Sequence, residues 1–300
     1  MKDFIMKKLF TIFLLLTAVF LLAAPQGFYD WSKSRKLHDS IQHAFIYAKE
    51  PRLMKINAVR IDLNDKSLKL FAAPRDKDYG KPMPDYPSMK IETKRMKVRE
   101  FLLNQRKLGK NMLVAVNSTP YGPWCKPFNH KYGGNIRLLI SDGEIVSDKK
   151  VNVPAFIQRK NGKIEIRTVK KDEDRNDFST AMAGFEIILS GGKVVAHDKN
   201  LHPRTCYGVS ADGRYLYFLT VDGRQKLVSL GANTIECAEY LKFFGAADAI
   251  NMDGGGSTTL VNWNPKTKKA EVLSHQAFGG ERRVATSLGI IRKKVLHEKF

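Results

Sequence analysis

Short apolar segments that turn back on themselves through glycine-containing dipeptides constrain this fold more than any other feature. Four segments of this kind share a two-residue centre that suits a tight hairpin turn, because such dipeptides adopt positive φ angles. They are residues 138–146 about Asp142-Gly143, 156–166 about Asn161-Gly162, 187–195 about Gly191-Gly192, and 209–219 about Asp212-Gly213. Residues 61–70, centred on Asn64-Asp65, predict a further hairpin. Repeated hairpins predict a largely antiparallel or mixed β-sheet core.

Two segments have helical patterns. Asn233 and Glu236 have the spacing of a capping box, an apolar face follows, and Gly245 suits the helix end. Residues 93–110 combine apolar positions with a basic face and predict a second helix. We expect that helix to pack on the sheet, and attachment to an anionic membrane is the alternative. The fold class is therefore α+β, a single domain with several hairpins and a few packed helices.

Patterned sequence occupies most of the chain and contains no repeat. We assign residues 55–292 to one domain, residues 25–54 to a linker, and residues 293–300 to a C-terminal tail. The linker assignment follows from the absence of a clear cap or turn in a polar and aromatic stretch.

The first 24 residues have the pattern of a targeting segment. Lys2, Lys7 and Lys8 precede residues 9–24, which carry no charge. This pattern predicts a signal peptide or an uncleaved signal anchor, with a buried N-terminal helix as the alternative. The protein is thus expected in the periplasm or outside the cell, and anchoring through residues 9–24 is left open.

Composition excludes several classes of protein. Lysine and arginine number 51 against 30 acidic residues, a net charge of +21 that favours an anionic partner or surface. Export and the lack of a nucleic-acid motif argue against nucleic acid as that partner. Cys125, Cys206 and Cys237 are too few for a disulfide-dense scaffold and lack the spacing of a zinc site. At least two of them are expected to be small buried residues.

The sharpest chemical feature is the run Asp253-Gly254-Gly255-Gly256-Ser257, which follows an apolar segment. Three glycines allow a ligand to approach the backbone closely, and successive N–H groups form an anion-binding nest. A carboxylate beside such donors suits a site that handles developing charge. The alternative is a glycine-rich hairpin loop in which Asp253 only satisfies its own turn.

Two arginines flank the hairpin of residues 209–219. Because paired antiparallel strands bring their outer ends together, Arg204 and Arg224 are expected to lie close to each other. Two guanidinium groups in one place favour a phosphate or carboxylate ligand. Two unconnected surface arginines are the alternative.

Other polar residues have weaker patterns. Asn117 ends an apolar strand and begins a loop with Tyr121 and Trp124, which would either shape a sugar pocket or pack internally. Glu236 is expected to act first as a capping residue, with catalysis as the alternative. His202 has no partner that the sequence reveals.

Residues 231–260 resemble the signature of the phosphodiester glycosidase family. The run Asn251-Met252-Asp253 with its glycines carries the resemblance, together with Arg204-Thr205, Asp222-Gly223-Arg224 and Glu281-Arg282. That family includes the lysosomal enzyme that uncovers mannose 6-phosphate by removing N-acetylglucosamine, and bacterial proteins linked to exopolysaccharide. Asn117 matches the asparagine of a family turn, while Ser118 and Thr119 stand where that turn has glycines.

The resemblance implies hydrolysis of a glycosyl-1-phosphodiester at the sugar C1–phosphate bond. It places Asp253, Glu236 and Asp222 in the pocket, and our hypothesis is that Asp253 is the nucleophile or general base, with Glu236 and Asp222 as the other catalytic candidates. Substrate or phosphate would be bound by Arg204, Thr205, Arg224, Asn117, Gly254, Gly255, Gly256 and Ser257. No cofactor is certain, and a divalent metal is left open. The second hypothesis is a non-catalytic module that binds anionic envelope glycans.

Overall fold

Antiparallel β-sheets form most of the molecule. The structure is a computed structural model that describes residues 25–123, 130–149 and 151–293. Its helices are α1 (Val98–Lys107) and α2 (Thr234–Phe244), with 3-10 turns at Trp31–Lys33 and Gly255–Ser257. Its strands are β1 (Arg35–His38), β2 (Ile41–Ala48), β3 (Met54–Asp62), β4 (Leu68–Ala72), β5 (Pro82–Met83), β6 (Tyr86–Lys90), β7 (Thr93–Lys94), β8 (Asn111–Asn117), β9 (Tyr121–Gly122), β10 (Tyr132–Asn135), β11 (Leu139–Ser141), β12 (Glu144–Ser147), β13 (Val153–Arg159), β14 (Ile164–Val169), β15 (Phe178–Ala183), β16 (Glu186–Ser190), β17 (Lys193–Val194), β18 (Arg204–Val209), β19 (Tyr215–Val221), β20 (Asp248–Asn251), β21 (Leu260–Asn264), β22 (Lys269–Val272) and β23 (Ser287–Arg292).

Three sheets dominate. The largest has eight strands in the order β1-β2-β3-β19-β18-β20-β16-β17. A five-stranded sheet has the order β22-β21-β8-β23-β4, and another has the order β12-β11-β15-β13-β14. Two small sheets, β7-β10-β9 and β5-β6, complete the described chain.

The main core lies between the eight-stranded sheet and the two five-stranded sheets. Tyr207 and Phe218 of the large sheet pack in one buried cluster with Val116, Leu288 and Phe156 of the others. Full burial of a side chain of this size contributes about 1.5–3 kcal/mol. The sheets are therefore held in a fixed relation, and loops from facing sheets meet at the ends of their strands.

Each helix covers the outer face of one sheet. Leu241 and Phe244 of α2 pack on Cys206 and Leu219 of the eight-stranded sheet. Phe101 of α1 packs in a separate cluster with strand residues of the sheet that contains β8. Asn233 and Glu236 form the capping box of α2, and Gly245 ends it with a φ of 107°. The predicted helix is confirmed, and the α+β single-domain class is confirmed with it.

The hairpins predicted at the four glycine-containing turns are confirmed. The pairs β11–β12, β13–β14, β16–β17 and β18–β19 are all antiparallel hairpins at those turns. The hairpin predicted over residues 61–70 is wrong, because β3 pairs with β2 and β19 whereas β4 pairs with β23. The turn at Asn64-Asp65 instead carries the chain from one sheet to the other.

The helix within residues 93–110 is shorter than predicted. It begins at Val98, because Thr93 and Lys94 pair with β10 in a small sheet. Val98, Phe101 and Leu102 are buried, so this helix packs on the protein, as expected.

The linker assignment of residues 25–54 is corrected by the sheet. These residues contain β1 and β2, and β2 pairs with β3 along its whole length from Ile41 to Ala48. Ile41 and Ala44 are fully buried in the core. The mixed polar and apolar order of this stretch hid a strand whose two faces are both partly covered. The folded domain therefore begins well before residue 55.

Several predictions fall on residues that the structure does not describe. The targeting segment of residues 1–24, Trp124, Cys125 and residues 294–300 lie outside the described ranges. Neither helix within the described ranges is long and apolar enough to cross a membrane. Cys206 and Cys237 are free and buried, as expected.

Candidate functional site

Three neighbouring strands of the eight-stranded sheet end at one place. Arg204 at the start of β18 pairs with Val221 at the end of β19, and Cys206 pairs with Asn251 at the end of β20. The loops that carry Asp222, Arg224 and Asp253 therefore leave the sheet at the same edge. This edge is the candidate site.

Asn117 ties the facing sheet to this edge. It ends β8 and is fully buried. Its Nδ2 donates to the Asp253 carbonyl at 2.6 Å, and its Oδ1 accepts from Thr205 Oγ1 at 2.8 Å and from the Thr259 N–H at 3.0 Å. The Asp253 N–H donates to the Ser118 carbonyl at 2.9 Å. Asn117 and Thr205 therefore hold the backbone on which the Asp253 carboxyl stands.

The Asp253 carboxyl is half-buried and electrostatically perturbed. Burial raises its pKa to about 6, against the opposing effects of the Ser257 hydroxyl, the Arg282 guanidinium and the Gly254 amide. The pKa of Tyr121 is also raised, first by burial and then by the charge of Asp253. A carboxyl whose pKa lies near neutrality is typical of an acid–base or nucleophilic group.

The glycines serve close packing more than they serve a nest of N–H donors. The Gly255 N–H donates to the Pro203 carbonyl at 2.8 Å, and the Ser257 and Thr258 N–H groups bond to carbonyls inside the loop. A Cβ on Gly256 would lie 2.4 Å from a guanidinium nitrogen of Arg282, and one on Gly255 would lie 3.2 Å from Arg224. Gly255 also has a φ of 61°. The expected series of free amides is thus largely occupied, and guanidinium groups lie against the loop instead.

Arg224 and Arg282 are the cations at this loop. Burial lowers the pKa of Arg224, and the charges of Arg282 and Arg204 lower it further, so the three guanidinium groups are near neighbours. Within the described ranges, neither Arg224 nor Arg282 forms an ion pair with a carboxylate. Two neighbouring guanidinium groups without carboxylate partners favour an anionic ligand.

His202 joins this cluster. Its Nδ1 lies 3.3 Å from Arg224 Nη2, and burial lowers the pKa of the imidazole, with Arg204 and Arg224 adding to the effect. A neutral imidazole whose Nδ1 accepts from Arg224 carries its proton on Nε2.

Arg204 is placed close to Arg224, but its Nε and Nη2 donors are used within the protein. Its Nε donates to the Ala232 carbonyl at 3.0 Å, and its Nη2 donates to Asp198 Oδ2 at 2.8 Å and to the Asn200 carbonyl at 2.7 Å. The side chain is buried. Arg204 therefore holds the loop of residues 198–204 and contributes its charge from below the surface.

Asp222 lies at the same edge but is buried. Asp222 is only 1% exposed, and its Oδ1 has no hydrogen-bond partner among the described residues. Burial raises its pKa to about 7, against the His275 amide and the charge of Lys55. The carboxyl is thus half-protonated near neutral pH, in a position that faces the protein interior.

The burial of Asp222 predicts a pH-dependent cost in stability. The folded-state pKa of Asp222 lies above the ordinary value of 3.8. The contribution of its protonated carboxyl to the free energy of unfolding is therefore complete below about pH 4 and is lost as pH rises to about 7. The stability of Asp222→Asn relative to the unsubstituted protein is therefore expected to improve by about 4 kcal/mol from pH 4 to pH 8. Denaturant unfolding at a series of pH values measures this difference.

Asp212→Asn is the matched control for that experiment. Asp212 is exposed and its pKa is lowered, first by the Ser210 hydroxyl, so its substitution changes stability in the opposite direction over acidic pH. A stability difference for Asp222→Asn that stays constant with pH would contradict a buried, raised-pKa carboxyl.

Glu236 has a structural role in the described geometry. Its Oε2 accepts from the Asn233 N–H at 3.0 Å and pairs with Arg52 Nη2. Both side chains of the ion pair are more than four-fifths buried. The carboxylate therefore fixes the start of α2 to the segment before β3.

The structure adds residues that sequence reasoning did not assign to the site. Arg282 lay inside the family resemblance but was not carried into the pocket, and Tyr121 was noted only as part of a loop. Glu281, beside Arg282, pairs with Arg99 at 2.9 Å and so fixes this loop to α1. The position of Arg282 directly after Glu281, within the family resemblance, was the sequence signal that could have assigned it to the site.

A metal site is not evident in the described residues, where no three His, Cys, Asp or Glu side chains cluster as ligands. The divalent metal therefore stays an untested alternative.

A large groove lies at the other ends of the same strands. Its volume is about 1530 Å³, and it is lined by turns such as Asp212-Gly213 and by Asp248 at the start of β20. Arg159 and Glu165 in its wall satisfy each other at 3.0 Å. We assign the chemistry to the Asp253 edge, because there Asp253 and Asp222 have raised pKa values and Arg224 and Arg282 form no ion pair with a carboxylate of the described residues.

Comparisons with known proteins identify the fold and the family of this chain. The structure resembles the catalytic domain of zebrafish N-acetylglucosamine-1-phosphodiester alpha-N-acetylglucosaminidase, which is auto-inhibited by its pro-peptide, with a TM-score of 0.62, 19% identity and 87% of each chain covered. It also resembles a hypothetical protein from Synechocystis, with a TM-score of 0.57, 13% identity, and 87% of this chain and 64% of that chain covered. At these identities, the two structures show a shared fold.

The sequence comparison is more specific. No curated protein matches the chain in sequence. The family model for phosphodiester glycosidase, NAGPA, matches residues 111–291. This range includes Asn117, Arg224, Asp253 and Arg282. The chain belongs to the phosphodiester glycosidase family and is a glycoside hydrolase.

Proposed function

We propose that this hydrolase cleaves the bond between C1 of a sugar and the phosphate of a glycosyl-1-phosphodiester. The observation that carries the proposal is the convergence of two guanidinium groups, from Arg224 and Arg282, on the loop of a half-buried Asp253. The name of the zebrafish neighbour, an N-acetylglucosamine-1-phosphodiester glycosidase, supports this substrate class.

The two arginines would bind the phosphodiester. Each lies against one glycine of the loop, so both cations face the same short stretch of backbone. Guanidinium groups bind phosphate oxygens through paired hydrogen bonds. They would also stabilise the negative charge that the departing phosphomonoester gains.

Asp253 would act at the anomeric carbon as nucleophile or general base. Above pH 6 its carboxyl is mostly ionised, as either role requires. Water supplies OH to C1 and a proton to the products, which are the free sugar and a phosphomonoester. Because a phosphate is a good leaving group, this reaction depends less on a general acid than ordinary glycoside hydrolysis does.

We further propose that the enzyme acts outside the cytoplasm on an envelope glycan or an exopolysaccharide-related substrate. The uncharged stretch of residues 9–24 and the net charge of +21 support this location and this anionic partner. The charge also supports contact with an anionic envelope or membrane surface.

A panel of sugar-1-phosphodiesters tests the proposal. We expect free reducing sugar and a phosphomonoester in equal amounts from at least one member, measured by reducing-sugar assay and phosphorus NMR. Parallel reactions with a chelator test the divalent metal. Salt-sensitive binding of anionic glycans with no product from any member would favour the non-catalytic binding module instead.

A further inference from the structure

Three large apolar side chains are exposed on loops next to the two arginines. Leu201 is 40% exposed, Phe278 is 65% exposed and Leu227 is 88% exposed. They lie on three separate loops, and together they are called the apolar rim. Monomeric soluble proteins usually carry exposed apolar residues singly, so a group of them beside a site indicates a ligand.

Hydrogen bonds place the loops of the rim next to one another. Gln225 pairs with Ser229 to close the turn that presents Leu227. Gln225 Nε2 also donates to the Gln276 carbonyl at 2.8 Å, which joins this turn to the loop of Phe278.

The rim also borders the cations. The ring of Phe278 has its centroid 5.9 Å from the guanidinium carbon of Arg224 and 5.9 Å from that of Arg282. Leu201 directly precedes His202, whose Nδ1 is 3.3 Å from Arg224 Nη2. The exposed Phe278 ring therefore lies directly beside the groups proposed to hold the phosphate.

This arrangement specifies the chemistry of the occupant. A ligand that satisfies both features has an anionic phosphate with a hydrocarbon part attached directly beside it. A sugar ring fits the rim less well, because the two leucine side chains offer no hydrogen bonds to its hydroxyl groups. Exposed Lys226 beside Leu227 adds a cation that would favour a phosphate-bearing amphiphile.

We propose that the apolar rim binds the hydrocarbon part of the alcohol on the far side of the phosphate. The substrate is then a glycosyl-1-phosphodiester of a lipid-like alcohol. This inference rests on the proposed hydrolysis of glycosyl-1-phosphodiesters and adds the class of the aglycone.

Two substrates with the same sugar 1-phosphate test it, one esterified to ethanol and the other to dodecanol, both used below the micellar concentration. We expect kcat/KM to be about tenfold or more higher for the dodecyl ester, since apolar burial drives its binding. Leu227→Ser should lower kcat/KM for the dodecyl ester by about three- to tenfold and leave the ethyl ester unchanged. Phe278→Ser should lower kcat/KM more for the dodecyl ester than for the ethyl ester, because its ring also lies beside both arginines. Leu108→Ser, at a 71% exposed leucine after α1, is the matched control and should change neither.

The outcomes separate this inference from the proposed function. Equal kcat/KM for both esters, with no effect of either rim substitution, would overturn the apolar rim and leave the hydrolysis standing. An equal loss for both esters in the rim variants would also overturn it, because the leucine and phenylalanine would then act on the arginines or on the sugar. Failure of the unsubstituted protein to cleave either ester of any sugar in the panel would overturn the proposed function itself.

Discussion

Asp253→Asn is expected to lower the turnover of a sugar-1-phosphodiester by about 10³-fold or more while making the folded protein more stable at pH 8. The loss of turnover follows from the carboxylate's proposed attack on C1 or activation of water, since an amide can do neither. Initial rates of sugar release measure this part of the expectation.

The gain in stability follows from the raised pKa. Burial holds the pKa of Asp253 at about 6, above its ordinary value of 3.8. The folded state therefore binds a proton more tightly than the unfolded chain, and stability is lost as pH rises from about 4 to about 6. The ionised carboxylate costs about 3 kcal/mol at pH 8, and asparagine removes that cost. Denaturant unfolding at pH 4 and pH 8 measures the change.

Asp198→Asn is the matched control, because its electrostatics have the opposite sign. Hydrogen bonds from Asn200 and Arg204 outweigh the effect of burial and lower the pKa of Asp198 to about 2. Its substitution should reduce stability at pH 8. If Asp253→Asn kept full turnover, Asp253 would have no role in the chemistry. If it gave no added stability at pH 8, the carboxyl would not be strained by burial.

The same group sets the expected pH dependence of the reaction. Turnover should fall as pH drops below about 6, because protonation removes the nucleophile or base.

Local patterns predicted much of this fold because the interactions that decide them are short-range. A glycine-containing dipeptide such as Asp212-Gly213 determines its own turn, and the Asn233 capping box lies within four residues. The turn at Asn64-Asp65 has the same local character, yet its two strands join different sheets. The pairing partners of β3 and β4 decide that difference, and among them β19 and β23 lie 150 or more residues away in the sequence.

For the site too, the sequence predicted local pairing but not the partners that come from distant segments. Antiparallel pairing was enough to predict that Arg204 and Arg224 would be neighbours, and the charge of Arg204 does act on Arg224. The sequence did not reveal that Asp198 and two carbonyls already occupy Arg204. It likewise could not reveal that the Gly255 amide bonds to the Pro203 carbonyl, because Pro203 lies about fifty residues earlier, just before β18. We therefore propose Arg224 and Arg282, and not Arg204, as the groups that bind the phosphate.

That shift is tested most sharply at Arg282. Arg282→Met is expected to lower kcat/KM for a sugar-1-phosphodiester by about 10³-fold, as loss of a charged donor at a developing anion does. Methionine keeps much of the apolar stem, so the loop should stay folded. The charge of Arg282 also lowers the pKa of Asp253, and its removal would raise that pKa. The acidic limb of the rate profile should therefore move to higher pH in the variant.

Arg283→Met provides a control one residue away. The Arg283 guanidinium is turned toward Glu100 of α1, at 2.7 Å, and its side chain is exposed. An exposed ion pair contributes about 1 kcal/mol or less, so this variant should keep its turnover and its rate profile. Equal losses in the two variants would mean that general positive charge, and not a clamp at the Gly256 backbone, attracts the phosphodiester. A loss confined to Arg282 that persists at high salt would place its guanidinium on the phosphate, because a direct, desolvated contact is screened much less than a long-range field.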